Sequence, residues 1–330
     1  MSELPRVVGI GASAGGLDAV GTVLAGLPAS LPAAVLVVIH QSDAAPGRLA
    51  TLLGRRSRLA VRAARDGEPL VAGVVHVALP GHHLLVEKGT LRVTRGPREN
   101  GHRPAIDPLF RSLALAAGPG AVGVVLSGML DDGAAGLLEI VRHGGAAAVQ
   151  DPDDAAFDAM PLAALRQVPG AVVRPAAEIA EAVVDLVARP ALGTLRGDGQ
   201  LADEVALALG RHEPGTEPGH GAAGLSCPDC AGPLYEIEEP HLLRYRCRIG
   251  HAWSQESLHR GQAAVVERAL EAALRALEDK AALQHRIARS ADQRGSSRMA
   301  DRARETAHDA LASAAAVRDL LSSPRDGEAW

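Results

Sequence analysis

The stretch VVGIGASAGGLDAV, residues 7–20, places a glycine-rich turn between an apolar run and an amphipathic helical pattern. Two motifs with different chemistry fit this turn. GIGASA matches the dinucleotide-binding fingerprint G-x-G-x-x-G/A, and GASAG matches the nucleophile elbow G-x-S-x-G with Ser13 at its centre. Both motifs connect a strand to a helix in a parallel α/β sheet, so the stretch predicts that fold class before it decides the chemistry.

Short apolar runs alternate with helical patterns over residues 6–188. Such continuous runs are typical of parallel strands whose two faces are both covered by helices. The runs predicted as strands are RVVGIGA, AAVLVVIH, VVHVALP, AVGVVLSG, GAAAVQ and GAVVRP, and HLLVEKGTLRVT predicts an antiparallel hairpin. We therefore predict a doubly wound α/β domain with a mostly parallel sheet and helices on both faces over residues 1–188.

The end of the second predicted strand separates the two motifs. Dinucleotide binding requires an acidic residue there, about 20 residues after the glycines, to bind the ribose hydroxyls. The strand AAVLVVIH ends instead in His40, and Asp43 follows three residues later. A histidine at the carboxyl edge of the sheet is suited to acid–base catalysis, so His40 favours the nucleophile elbow.

A later strand supplies carboxylates at the same edge of the sheet. VLSGMLDDGAAG runs from an apolar strand into Asp131 and Asp132, directly before a helical pattern. A serine nucleophile needs a base, and that base needs an orienting carboxylate. The three strand ends predict a Ser–His–Asp triad with either aspartate as its acid. The backbone N–H groups of Ala14 and Met129 are candidate oxyanion donors by position.

Six motifs occur together in a specific order: GIGASAGG, VVIHQ, ALPGHHLLV, ENGHRPAIDPLFRSLA, VLSGMLDDGAAGL and VQDPDDAAFDAMPLAAL. In this order they resemble the catalytic domain of the chemotaxis-type protein-glutamate methylesterases, over residues 5–188. The resemblance implies hydrolysis of γ-glutamyl methyl esters on chemoreceptors or related signalling proteins, with release of methanol and without a catalytic cofactor. Some members also deamidate receptor glutamines, so that activity is a further expectation.

The resemblance also implies roles for single residues. Ser13 would be the nucleophile, His40 the base and Asp132 the orienting carboxylate, with Asp131 as a weaker alternative because Leu130 replaces a glycine of the family motif. Many members carry an N-terminal receiver domain, whereas this sequence begins close to the first predicted strand, so we expect no receiver. The alternative function is a non-catalytic signalling adaptor that retains the fold.

All three cysteines lie in residues 225–255, after a segment rich in glycine and proline, residues 189–224. That segment predicts a linker with one or two helical turns. The cysteine segment has the spacing C-x2-C-x16-C-x3-H, which is close to that of a zinc ribbon. His241 is an alternative fourth ligand, and three free thiols are the alternative to a metal site. The predicted ligands of a structural zinc are Cys227, Cys230, Cys247 and His251.

Residues 256–330 are charged and rich in alanine and leucine, with apolar residues at three- and four-residue steps. The interruption QRGSS predicts two antiparallel helices followed by a tail, a hairpin that is a candidate for self-association. The 330 residues carry a net charge of −5 without a basic block, so nucleic acid is not an expected partner. Without a signal pattern or an apolar run near 20 residues, we expect a cytoplasmic protein without membrane insertion.

Overall fold

The structure is a computed structural model, and it describes residues 6–45, 47–191, 198–211, 221–239 and 242–322. Its contacts divide the chain into two compact units, residues 1–258 and residues 259–330. No helix in these described ranges is both long enough and apolar enough to cross a membrane.

The strands and helices follow the alternation that the apolar runs predict. The strands are β1 (Arg6–Ala12), β2 (Ala33–Ile39), β3 (Ala60–Ala63), β4 (Val74–Val77), β5 (His83–Glu87), β6 (Thr90–Thr94), β7 (Ala121–Val125), β8 (Ala146–Gln150), β9 (Val172–Arg174), β10 (Ala222–Ser226), β11 (Pro233–Glu239), β12 (Leu242–Cys247) and β13 (Ala252–Ser254). The helices are α1 (Gly16–Gly26), α2 (Leu49–Gly54), α3 (Ile106–Ala117), α4 (Ala134–Arg142), α5 (Ala159–Gln167), α6 (Ala176–Ala188), α7 (Gly199–Ala208), α8 (Gln255–Gln293) and α9 (Ser297–Ser322).

Seven strands form one parallel sheet in the order β3-β4-β2-β1-β7-β8-β9. Strands β5 and β6 form the predicted antiparallel hairpin beside it. The predicted doubly wound, mostly parallel fold is therefore confirmed. The chain leaves β1 towards β2 and later returns on the other side to β7, so the order reverses beside β1. Ligands of open α/β sheets bind at the carboxyl ends of the strands at such a point.

Alternate side chains of the central strands enter two separate apolar layers. In β2, Val35 and Val37 pack into the layer that contains α1 and α6. Leu36 and Val38 pack into the opposite layer, which contains α3 and α4. Because helices cover both faces, the strand has no polar face, which explains its continuous apolar sequence.

Helix α3 lies directly on β1 because β1 carries a glycine at the contact. A Cβ atom at Gly11 would lie 2.4 Å from Cγ2 of Ile106, the first residue of the helix. The sequence GIGA is therefore as important for this close approach as for the turn that follows. As a result, the N-terminus of α3 lies near the carboxyl end of β1.

The Cys/His module, which we define as residues 222–258, belongs to the first unit. Its four strands form an antiparallel sheet in the order β10-β11-β12-β13. Helix α7 lies within the predicted linker and is longer than the one or two turns expected there. It begins with a cap in which the N–H of Leu201 donates to the Asp198 carboxylate, at 3.0 Å.

The second unit contains the remainder of α8 and all of α9. The Arg318 guanidinium lies 2.6 Å from the Glu278 carboxylate, and Arg304 forms an ion pair with Asp292. The Arg304 pair joins the start of α9 to the end of α8, and the Arg318 pair joins the end of α9 to the middle of α8. The two helices therefore run antiparallel. One face of α9 carries small buried side chains, Ala300, Ala303, Ala307, Ala310 and Ala314. Self-association through this hairpin stays a prediction.

Candidate active site

Three strand ends bring a hydroxyl, an imidazole and a carboxylate into one hydrogen-bonded chain. Ser13 follows β1, His40 follows β2, and Asp132 precedes α4. The His40 Nδ1 atom lies 3.0 Å from Ser13 Oγ, and His40 Nε2 lies 2.6 Å from Asp132 Oδ2. The His40 side chain is 7% exposed and that of Asp132 is 2% exposed. Such an arrangement can remove the proton from a serine hydroxyl as the hydroxyl attacks a carbonyl.

The turn that carries Ser13 is fixed by its neighbours. The Ser13 N–H donates to the Ser127 carbonyl at 3.0 Å, and Ser127 Oγ donates to the Ala14 carbonyl at 2.8 Å. Gly15 has φ +71°, and a Cβ atom there would lie 2.8 Å from Ser127 Oγ. The second glycine of the nucleophile motif is thus required both by its backbone conformation and by lack of space.

Four donors surround the Asp132 carboxylate. His40 Nε2 and the N–H of Ile106, at 2.7 Å, reach Oδ2, while the N–H of Asp107, at 3.2 Å, and the Asn100 amide, at 3.1 Å, reach Oδ1. Burial alone would raise the pKa of Asp132. The hydrogen bonds and charge of its partners, His40 first, outweigh burial and hold this pKa well below its ordinary value. Asp132 is therefore a charged carboxylate that fixes the ring of His40.

Asp131, the alternative acid of the triad, lies elsewhere. Its Oδ1 atom accepts a hydrogen bond of 2.7 Å from the Ser254 hydroxyl. Burial, together with the nearby charges of Glu256 and Asp132, raises the pKa of Asp131 to about 7, although the hydrogen bond from Ser254 and the charge of Arg166 lower it. Of the two aspartates, the structure brings Asp132 and not Asp131 to His40.

The two candidate oxyanion donors have N–H groups available. Within the described residues, the backbone N–H groups of Ala14 and Met129 donate to no protein acceptor. Met129 follows Gly128, at which a Cβ atom would lie 2.9 Å from Ser13 Cβ. Two unpaired N–H groups beside a serine hydroxyl can stabilise the negative charge that develops on an attacked carbonyl oxygen.

Two residues of the loop before α3 take part in the site, although sequence reasoning did not assign them these places. The His102 ring stacks on the His40 ring, with centroids 3.7 Å apart and an angle of 12° between the planes. Asn100 donates to Asp132 and also lies 3.3 Å from Asp107 Oδ2. Both residues belong to the quoted motif ENGHRPAIDPLF, whose Asn-Gly pair indicates a turn but does not show where its side chains point.

The four predicted metal ligands also lie together. His251 Nδ1 is 3.7 Å from Cys227 Sγ and 3.5 Å from Cys247 Sγ, and the Sγ atoms of Cys230 and Cys247 are 3.7 Å apart. Ligands at about 2.3 Å from a tetrahedral zinc ion are separated by about 3.8 Å, so the cluster has the size of such a site. His241, the alternative ligand, lies outside the described residues.

The model of the CheB methylesterase family matches residues 8–183, which is more than half of the chain. This chain belongs to that family. The match includes Ser13, His40 and Asp132 and ends before α7 and the Cys/His module. The resemblance identified from the six sequence motifs is therefore confirmed.

Similar proteins and structures carry related names. A protein-glutamate methylesterase/protein-glutamine glutaminase 1 of Xanthomonas campestris pv. campestris is 40% identical over 188 residues, which are 56% of this chain and 52% of that protein. A protein-glutamate methylesterase/protein-glutamine glutaminase 3 of Anaeromyxobacter dehalogenans is 47% identical over 161 residues, which are 48% of this chain and 47% of that protein. The chain spans about half the length of these curated relatives.

A solved structure shows the same fold. The crystal structure of the Thermotoga maritima CheB methylesterase catalytic domain is similar with a TM-score of 0.53 and 29% sequence identity. The similarity covers 56% of this chain and 99% of the Thermotoga chain. The parallel sheet and its helices therefore correspond to a CheB catalytic domain.

Proposed function

We propose that this chain is a protein-glutamate methylesterase that hydrolyses γ-glutamyl methyl esters on chemoreceptors or related signalling proteins. The observation that carries the proposal is the continuous chain of hydrogen bonds from Ser13 through His40 to Asp132. Membership of the CheB methylesterase family and the names of the similar proteins support the same substrate class.

In the proposed mechanism, Ser13 Oγ attacks the ester carbonyl while His40 Nδ1 takes its proton. Asp132 Oδ2 accepts a hydrogen bond from the Nε2–H group of His40 and, staying ionised, stabilises the imidazolium that forms. Methanol leaves with the proton from His40, and the acyl group stays on Ser13. A water molecule, deprotonated by His40, then hydrolyses the acyl-enzyme and releases the glutamate carboxylate.

The proposed oxyanion donors are the N–H groups of Ala14 and Met129, which lack other acceptors among the described residues. The same acyl-enzyme would form from a glutamine side chain, with ammonia as the leaving group. The names of the relatives, which include protein-glutamine glutaminase, support this deamidation as a second activity of the same site.

The Cys/His cluster is proposed to hold a structural zinc ion through Cys227, Cys230, Cys247 and His251. With four protein ligands no coordination position is left for a substrate, so the ion would stabilise the module and take no part in the ester chemistry. Three cysteines that serve as thiolate ligands are consistent with a cytoplasmic location, where disulfides are rare. Elemental analysis should find one zinc per chain, and finding none in carefully purified protein would contradict this part of the proposal.

The test of the proposed function is methanol release from methyl-esterified receptor membranes. We expect release by the full chain, a loss of at least about a thousandfold in Ser13→Ala, and normal release in Ser42→Ala, which changes an exposed serine. Unchanged release in Ser13→Ala would show that Ser13 is not the nucleophile. Absence of release from the unaltered protein would favour the alternative, a non-catalytic signalling adaptor.

A further inference from the structure

The Cys/His module lies against the loop that carries Asn100 and His102. Strand β13 runs beside this loop: the Asn100 N–H donates to the Ala252 carbonyl at 2.8 Å, and the Ala252 N–H donates to the Arg98 carbonyl at 3.2 Å. The Trp253 ring lies next to the loop as well, because a Cβ atom at Gly101 would be 3.5 Å from it. The module thus adds a strand to a loop of the candidate active site.

Hydrogen bonds from the module fix the orientation of the Asn100 side chain. Its Oδ1 atom accepts from the Ser254 N–H at 2.9 Å and from the Ser257 hydroxyl at 2.8 Å. A backbone N–H can only donate, so it requires the oxygen of the amide on this side. The Nδ2 group must therefore point the other way, where it donates to Asp132 Oδ1. Asn100, Ser254, Ser257 and Asp132 are all buried.

A buried ionic cluster holds the module and α7 against α3. The Glu204 carboxylate of α7 lies 3.1 Å from Arg111 of α3, 2.6 Å from Arg244 of β12 and 3.2 Å from Arg246 of β12. Glu99, the residue before Asn100, forms an ion pair with Arg111. Buried charges need close partners, so this cluster opposes separation of the module from the active-site loop.

We propose that Ser254 and Ser257 of the Cys/His module are positioning residues for the triad, acting through Asn100 on Asp132. The proposal rests on the proposed methylesterase function. Under this proposal the module is part of the active site. Residues more than a hundred positions further along the chain orient Asp132, the acid of the triad. Without these hydroxyl and N–H donors, the Asn100 amide is free to turn, Asp132 loses a donor, and the His40 ring loses its fixed orientation.

The experiment compares four variants of the full chain. Ser257→Ala removes the hydroxyl that faces Asn100, and Ser257→Thr keeps one. Asn100→Gly removes the amide and tolerates the φ of 52° at this position. Ser226→Ala, in the same module but exposed, is the matched control. For each variant we measure kcat and KM on the methyl ester, and the downfield proton signal of the His40 Nε2–H group by NMR.

We expect Ser257→Ala and Asn100→Gly to lower kcat by about tenfold with little change in KM, less than the roughly hundredfold cost of a misplacement of about 1 Å in other enzymes. The His40 proton signal should shift or broaden in both variants, while Ser257→Thr and Ser226→Ala should match the unaltered protein. Thermal unfolding shows whether each variant is folded. If either Ser257→Ala or Asn100→Gly fails to fold, the result for the other variant decides whether the positioning role holds.

Normal kcat and an unchanged His40 signal in the folded variants would overturn the positioning role. The NMR comparison does not depend on turnover, so it separates the two proposals. If the unaltered protein released no methanol, the proposed function would fail, while the response of the His40 signal to Ser257→Ala would still decide whether the module orients the triad.

Discussion

The parallel sheet and the Cys/His module are stabilised in opposite ways. The sheet carries a layer of fully buried aliphatic side chains on each face, and burial of apolar surface contributes about 25 cal/mol per Å². The module has a small core of six buried residues, Cys227, Leu234, Tyr245, Cys247, Trp253 and Leu258. Two of these are proposed metal ligands, so under the zinc proposal the stability of the module would depend on the metal, whereas that of the sheet depends on apolar burial.

The contact between the two regions differs again from the interior of the sheet. Three arginines and two glutamates are buried there, Glu99, Arg111, Glu204, Arg244 and Arg246. Aliphatic layers accept many sequences of the same pattern and volume, whereas a buried ionic cluster accepts few changes, because each lost partner leaves a charge uncompensated. The sheet therefore determines the fold of the unit, and a few polar side chains determine where the module lies on it.

The largest expected effect comes from disruption of the proposed zinc site. Cys230→Ser should abolish zinc binding and unfold the module, because metal-binding free energy is folding free energy in small metal-bound domains. The sheet should stay folded on its own aliphatic core. Amide hydrogen exchange tests this: β11 and β12 should lose their protection while β1 and β2 keep theirs. Equal protection of the module with and without metal would contradict the difference drawn between the two regions.

Loss of the central carboxylate of the ionic cluster should have the next largest effect. Glu204→Gln removes the carboxylate that Arg111, Arg244 and Arg246 share. We therefore expect the free energy of unfolding to fall by about 3–5 kcal/mol. The matched control is Glu256→Gln, which breaks an exposed ion pair with Arg166 at 3.2 Å and should cost less than about 1 kcal/mol. Chemical denaturation measures both, and equal losses would mean that burial of the cluster is unimportant.

The pH dependence of stability probes Asp131, which joins the sheet edge to Ser254. Its pKa is raised from 3.8 to about 7 in the folded chain, so folding favours the protonated form. This contribution to stability is complete below about pH 3.8 and is lost as the pH rises through 7. The groups that face Asp131 are Ser254, Glu256, Asp132 and Arg166.

Asp131→Asn should remove this pH dependence because the amide stays neutral. Between pH 5 and pH 8 the unfolding free energy of the variant should rise relative to that of the unaltered protein by on the order of 2 kcal/mol, allowing for partial exposure of the carboxyl group. Denaturation curves at both pH values measure the change. A difference between the two proteins that does not vary with pH would contradict the raised pKa.

Much of the sheet and the proximity of the three triad residues could be predicted because each signal is local. An apolar run that ends in Ser13 or His40 shows both a buried strand and the polar residue at its carboxyl end. Strand β3 was not predicted, since it is a short edge strand whose four residues alternate between exposed and half-buried. An edge strand of this kind has neither a continuous apolar run nor a clear polar face.

The support of Asp132 could not be predicted from local signals. The partners of Asn100 in the module lie 154 and 157 residues away along the chain, and Asn-Gly in a loop indicates only a turn. The spacing of the cysteines could predict that Cys227, Cys230, Cys247 and His251 lie together, because these residues are close in sequence. It could not predict that the module lies on the active-site loop, which depends on buried charges contributed by three separate segments.

The smallest expected effect concerns Leu130, which stands where the family motif has glycine. Its φ of 64° lies in the left-handed region, which costs a residue with a Cβ atom about 1 kcal/mol or more. Leu130→Gly should therefore raise the free energy of unfolding by about 0.5 kcal/mol, because the greater freedom of glycine in the unfolded chain offsets part of the gain. Lys88→Gly, at φ 48° in the turn between β5 and β6, tests the same backbone effect away from the site. A gain at Lys88 with a loss at Leu130 would show that the Leu130 side chain contributes packing beside Asp131 and Asp132 that outweighs its backbone strain.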